Sequence, residues 1–131
     1  MRVCLIEPIL FSFQRVRGRS LRNNIGMSFY PPLGLCYIAN YLKKNGVEVK
    51  IIDRKVLMAQ KRCSASAVNE MTENEIRRFQ PDIVGITVTT PTLFDVKANI
   101  IKVIRKVNKE ATVVVGGPHA SALPEDILRD I

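Results

Sequence analysis

The sequence holds one histidine in 131 residues, three cysteines far apart, and no acidic residue between Glu7 and Glu48. Each scarcity excludes something. A lone His119 cannot build a two-histidine metal centre, and any metal site here would need carboxylates or thiols, whose spacings do not suit one. Cys4, Cys36 and Cys63 have neither the even count of a disulfide framework nor the close pairing of a zinc site. Cys4 lies in an apolar strand and Cys36 on an apolar helix face, so both are expected to be buried thiols of a reducing cytoplasm, whereas Cys63 sits in a polar stretch and indicates nothing. No apolar run approaches the ~18 residues of a bilayer span. The start, MRVCLIEPIL, is interrupted by Glu7 and Pro8 and is followed by no small-residue cleavage site, so no secretory leader is expected. The phosphate fingerprints GxGxxG and GxxxxGKS/T are missing, as are GxSxG and any paired catalytic carboxylates. The chain is therefore expected to bind something and not itself to perform chemistry.

What is present is enough for one domain with a real core: 47% hydrophobic and 24% charged residues. The net charge of +8 is unevenly spread, with Arg15, Arg17, Arg19, Arg22, Lys43 and Lys44 all in the stretch that lacks acids. Such a balance suits nucleic acid, a membrane surface or an anionic ligand. Residues 9–31 show no period and are long for a connection inside a compact domain, which marks them as functional or disordered. Four arginines without a nearby carboxylate are expected to leave residues 10–30 mobile until an anionic ligand or another domain orders them.

Along the rest of the chain, strands alternate with helices. VCLIE (3–7) is a short apolar strand. PPLGLCYIANYLKKNG (31–46) is a helix with Leu35, Ile38, Ala39 and Leu42 on one stripe, Pro32 in its first turn and Gly46 just past its end. VEVKIID (47–53) is a second strand, and residues 54–71 stay ambiguous. TENE (72–75) matches a capping box, predicting a short helix to about Phe79. PDIVGITV (81–88) is a third strand, expected to be buried on both faces. Val96, Ile100, Val103, Ile104 and Val107 mark the third helix. ATVVVGG is the fourth strand, and a last helix starts at Pro124 with Glu125 and Asp126 in its first turn. The pattern predicts an α/β fold: a Rossmann-like open parallel sheet, order 2-1-3-4, with helices on both faces. It also predicts one domain over 1–131, cut from the N-terminal part of a longer chain, because a fifth strand is wanting. Without that strand the fourth should lie at an open edge.

Ligands of open α/β sheets bind at the carboxyl ends of the strands. Thr87, Thr89 and Thr90 crowd the end of the third strand, where they either form a polar patch for a ligand or, for Thr90, simply cap the next helix. Gly116 and Gly117 close the fourth strand, as a plain turn or as side-chain-free backbone that leaves a slot beside those hydroxyls. Pro118 and His119 follow. His119 is read either as a polar surface residue or as the rim of that slot.

Three segments, residues 31–53, PDIVGITVTTPTL (81–93) and VVVGGPHASALPEDIL (113–128), together resemble the N-terminal cobalamin-binding domain of cobalamin-dependent radical SAM enzymes, a group of methyltransferases and anaerobic magnesium-protoporphyrin monomethyl ester cyclases. The resemblance implies a Rossmann-like unit whose cleft takes the cofactor's nucleotide tail. It implies that Thr87, Thr89 and Thr90 line the tail pocket, Gly116 and Gly117 make room, Pro118 and His119 shape the rim, and Pro32, Leu33 and Gly34 start the helix beside the corrin. It further implies a downstream domain with a [4Fe-4S] cluster and S-adenosylmethionine, used for methyl transfer or oxidative cyclisation. The DxHxxG motif that supplies a cobalt-ligating histidine in related domains is not found, and neither is CxxxCxxC. Two other readings stand beside this one: a degenerate Rossmann-like module that binds a substrate or partner without cobalamin, and an RNA-binding accessory domain served by the arginine cluster.

Overall fold

A computed structural model describes residues 1–10, 30–61 and 64–130. The arginine cluster and Cys63 lie outside the described residues, and so do all but the two end residues of the 10–30 segment expected to be mobile.

Four parallel strands, β1 (Arg2–Glu7), β2 (Glu48–Asp53), β3 (Ile83–Thr87) and β4 (Thr112–Gly116), form one sheet in the order β2-β1-β3-β4, as the pattern predicts. In register, Leu5 lies beside Ile51 and Gly85, Val114 lies beside Gly85, and Gly116 lies beside Thr87. Alternation then divides the sheet into two faces.

One face carries Cys4, Ile6, Ile52, Val84 and Ile86. It packs against Ile76 of α3 (Ala65–Phe79), Ile104 of α5 (Ile101–Val107), Ala120 of α6 (Pro118–Ala122) and Ile127 of α7 (Pro124–Asp130). Between β3 and α5 the chain makes a 3-10 turn (Thr90–Thr92), a single helical turn α4 (Leu93–Asp95) and a π-helical stretch (Val96–Ile100). Val96, Ile100, Val103 and Ile104 are buried, so the apolar stripe read from the sequence does face the core.

The opposite face carries Val3, Leu5, Ile83, Gly85 and Val114, and its cover is α1 (Leu33–Lys44), through Leu35 and Ala39. Among the described elements this cover stops short of β4. Val114 is 52% exposed and Ile38, on the predicted stripe of α1, is 48% exposed. The third strand is accordingly buried on one face and half-buried on the other, a correction to its predicted burial on both.

Other expectations shift for local reasons. Cys36 is exposed: it falls one position beyond the Leu35–Ala39 stripe and turns away from the sheet. The TENE box is no cap. The helix begins seven residues earlier, where the Ser64 hydroxyl caps the Ala67 N–H, and Thr72 lies buried in its interior with its hydroxyl on the Val68 carbonyl. The ambiguous stretch 54–71 holds both α2 (Arg54–Lys61) and the start of α3. Gly46 follows α1 at φ 75, the left-handed position its type suits.

Candidate functional site

The carboxyl ends of β1, β3 and β4 meet at one edge of the half-covered face. There an apolar cavity of about 640 Å³ lies between α1 and the sheet, within the usual size range of small-molecule pockets. Val3, Leu5, Gly85, Ile83 and Val114 form its floor, and Leu33, Ile38 and Leu42 of α1 form one wall. Thr87, Gly116 and Gly117 stand at the strand ends, with Pro32 and Gly34 where α1 begins. Gly85, which the sequence reading passed over, also lines the cavity, and Leu5 fills the space that its missing side chain leaves. A Cβ there would come within 2.8 Å of Leu5 Cδ2, so any side chain would displace Leu5. An isolated Gly inside the apolar run IVGIT was the available signal.

The two glycines after β4 do different work. At Gly116 a Cβ would meet nothing within 4 Å, so the missing side chain leaves free space beside the cavity. Gly117 has φ 98, and a Cβ would fall 2.8 Å from the Val88 carbonyl oxygen and 2.9 Å from Thr87 Oγ1. Its missing side chain is thus taken up by the chain's own β3 exit. That close approach is held by two backbone hydrogen bonds, Val88 N–H to the Gly116 carbonyl (2.8 Å) and His119 N–H to the Val88 carbonyl (3.1 Å).

The three threonines are also distinct. Thr87 is half-buried against Gly117 and lines the cavity. Thr89 is the residue that caps the following turn, a role the sequence reading gave to Thr90: the Thr89 N–H donates to Thr92 Oγ1 at 3.0 Å, and the two hydroxyls lie 3.2 Å apart. Thr90 instead reaches across, its Oγ1 2.9 Å from His119 Nδ1. His119 and Pro118 belong to α6, a short helix where a loop was expected. The Thr90–His119 contact joins the exits of β3 and β4 from outside the cavity.

Two polar groupings near the same edge were not foreseen. Lys55 pairs with Glu7 at 3.1 Å across the ends of β1 and β2, and Asp53 Oδ1 accepts the N–H groups of Lys55 and Val56 at the start of α2. Arg54 is fully buried and bonded to Asp95, Thr72 and Asn69. The sequence gives no warning of the latter, because an arginine after a strand is ordinarily solvated. Burial pushes the Cys4 thiol from its ordinary 9.0 up to about 12, so it is a packing group and no nucleophile. Among the described residues no group of three or more His, Cys, Asp or Glu can hold a metal ion, and no helix is long and apolar enough to cross a membrane.

Against known families, residues 24–131 match the B12 binding domain. The chain belongs to the B12-binding domain family. Its Rossmann-like fold is that of a B12-binding domain, as the resemblance implied, with the strand order that the alternation of elements predicts. Relatives of this B12-binding domain include an uncharacterized methyltransferase of Pyrococcus horikoshii, 35% identical over 76% of this chain and 20% of its own length. A second is the anaerobic magnesium-protoporphyrin IX monomethyl ester cyclase of Rubrivivax gelatinosus, 27% identical over 99% of this chain and 20% of the relative. A third is the cytidylyl-2-hydroxyethylphosphonate methyltransferase of Streptomyces wedmorensis, 33% identical over 76% of this chain and 20% of the relative. The chain thus spans about a fifth of the length of these relatives. No solved structure matches it.

The residues present fit the family's cofactor. A flat heterocycle needs an apolar slot, and the cavity floor supplies one; a polar linker needs hydroxyls and backbone at the mouth, where Thr87, Gly116 and Gly117 stand.

Proposed function

We propose that this domain holds cobalamin, with the nucleotide tail in the cavity between α1 and β3–β4, for a radical SAM enzyme that performs methyl transfer or oxidative cyclisation. One observation carries the reading: in a chain of the B12-binding family, the open part of the sheet is an apolar cavity floored by Gly85 and ending at Thr87 and Gly116. Thr87 and the adjoining backbone orient the tail. Thr89 and Thr90, with Pro118 and His119, form its rim, while Pro32, Leu33 and Gly34 hold the side nearest the corrin. Bound cobalamin would supply a cobalt able to carry a methyl group. The protein part is positioning and exclusion of water from the slot. The [4Fe-4S] cluster, S-adenosylmethionine and the substrate belong to a downstream part of the protein, which should carry a fifth strand and then CxxxCxxC. Both methyltransferases and cyclases stand among the relatives, so either reaction suits the domain.

A tail seated in the cavity would have its base off cobalt, and His119, the chain's one histidine, is not among the residues that line that cavity, so no histidine is expected to replace the base. The test is titration of the protein with hydroxocobalamin, read by absorbance and, after reduction to Co(II), by paramagnetic resonance. Saturable binding without nitrogen superhyperfine splitting is expected. Splitting that disappears in His119→Ala would refute the unligated arrangement. Absence of binding, in this chain and in one extended through the fifth strand, would refute the cofactor and leave a module for some other apolar ligand.

A further inference from the structure

The strand exits that would surround the cofactor are tied together from behind, on the sealed side of the sheet. The tie is one buried ion pair. Arg54, the first residue of α2, and Asp95, the last of α4, are both fully buried. Arg54 Nε donates to Asp95 Oδ2 at 2.9 Å and Arg54 Nη2 to Asp95 Oδ1 at 2.8 Å, the two-pronged geometry that a planar guanidinium fixes. Two more guanidinium hydrogens are used as well, one from Nη1 to Thr72 Oγ1 at 2.7 Å and one from Nη2 to Asn69 Oδ1 at 2.8 Å. Asp95 accepts two more bonds, from Asn99 Nδ2 and from the backbone N–H of Ile9, each at 2.8 Å. Asn69 and Asn99 close the ring on each other at 2.8 Å.

The Ile9 bond gives the cluster its meaning. Ile9 lies two residues beyond the end of β1, so its N–H has left the sheet ladder, and it is buried. Asp95 follows the Thr89–Thr92 cap after β3, and Arg54 follows β2 directly. A single carboxylate thereby joins the exits of three strands. Stability does not demand such a device: a buried ion pair often does no better than well-packed apolar side chains of similar volume. What apolar side chains cannot do is accept the Ile9 N–H or fix one angle between α2 and α4.

We infer that Arg54 and Asp95 are positioning residues that set the exit of β1 against the exit of β3, and so hold the mouth of the cavity in the shape that receives the cofactor. This rests on the cobalamin reading for its ligand, though not for its mechanics.

The experiment replaces the pair by apolar residues, Arg54→Met with Asp95→Leu, in the 131-residue chain. Three quantities are read: the melting temperature, amide exchange of Ile9 against Ile6 within β1, and the dissociation constant for hydroxocobalamin. A positioning role gives a variant that still folds cooperatively, with a lowered melting temperature because the buried Ile9 N–H and the side chains of Thr72, Asn69 and Asn99 lose partners. Its Ile9 amide should exchange at least about 100-fold faster with Ile6 unchanged, as expected when a buried donor loses its acceptor, and its affinity should fall at least about tenfold, 1.4 kcal/mol. A folded variant with Ile9 still protected overturns the inference, and so does fast Ile9 exchange with unchanged affinity. Should the parent bind no hydroxocobalamin, the cofactor reading fails by itself and Ile9 exchange still decides whether the pair holds the strand exit. Should the double variant not fold, Arg54→Lys serves. It keeps the charge and loses the fork, and the same three readings apply with smaller expected changes.

Discussion

The two faces of the sheet are built to different standards. On the face of Cys4, Ile6, Val84 and Ile86, helices α3, α5, α6 and α7 leave these strand residues at most 2% exposed. On the other face the buried cluster among the described residues is Val3, Leu5, Leu35 and Ala39, and Val114 on β4 is half exposed beside the cavity. Adjacent strands with the same hydrogen-bond ladder thus bury a core on one side and line a cavity on the other. Apolar character alone does not tell the two apart; what differs is whether a helix returns to cover it.

The contrast can be broken most sharply by truncation. Ile86→Ala on the sealed face should cost about 2–5 kcal/mol, a transfer loss plus a cavity, whereas Val114→Ala on the open face should stay near 0.5 kcal/mol. Paired chemical denaturation curves measure both, and a Val114 variant as damaged as Ile86→Ala would show the open face to be covered in solution. The next effect separates the two glycines. Gly117→Ala meets backbone at 2.8 Å and a φ of 98, and should cost about 1–3 kcal/mol. Gly116→Ala has free space and should leave stability nearly unchanged, while Gly116→Leu should weaken cobalamin binding with the fold intact. Calorimetric melting and hydroxocobalamin titration of the three variants test this ordering. The last effect is confined to alkaline pH. The Cys4 pKa is raised in the folded state to about 12 by burial, so its contribution is complete below pH 9.0 and is lost as pH rises from there towards 12. Between those limits the slope should approach about 1.4 kcal/mol per pH unit. Cys4→Val should flatten that slope, and iodoacetamide should label Cys36, which is exposed, long before Cys4.

The same contrast explains what could be read in advance. Strand order and α1 were legible because alternation of strands and helices admits few topologies, and because Leu35 and Ala39 repeat at a helical interval. The site was legible only as far as residue type signals position. The Gly pair and the threonines announced the strand ends, yet nothing in the types distinguished Gly117, filled by Val88 and Thr87, from Gly116, open to the cavity. Thr72 inside α3 and Arg54 beneath α2 were hidden for a common reason. Each is polar by type and buried by partnership, and the partners of Arg54, which are Asn69, Thr72 and Asp95, lie 15, 18 and 41 residues away in sequence. Cys36 failed oppositely: an apolar type on an apolar helix, exposed because it lies off the Leu35–Ala39 stripe that meets the sheet.

The placement of β1 between β2 and β3 also has a consequence in time. Val3 must wait for Val49 on one side and for Ile83 on the other, 80 residues along the chain. No pair of neighbouring strands here is joined by a hairpin, so no strand pairing is available early as a local event. Closing such distances costs chain entropy before any ladder rewards it, which places this domain among the slower-folding topologies for its size. Until β3 arrives, Cys4 and Ile6 stand uncovered on a half-built sheet. Among the described elements α1 is the helix next to β1 in sequence, and the same helix walls the cavity.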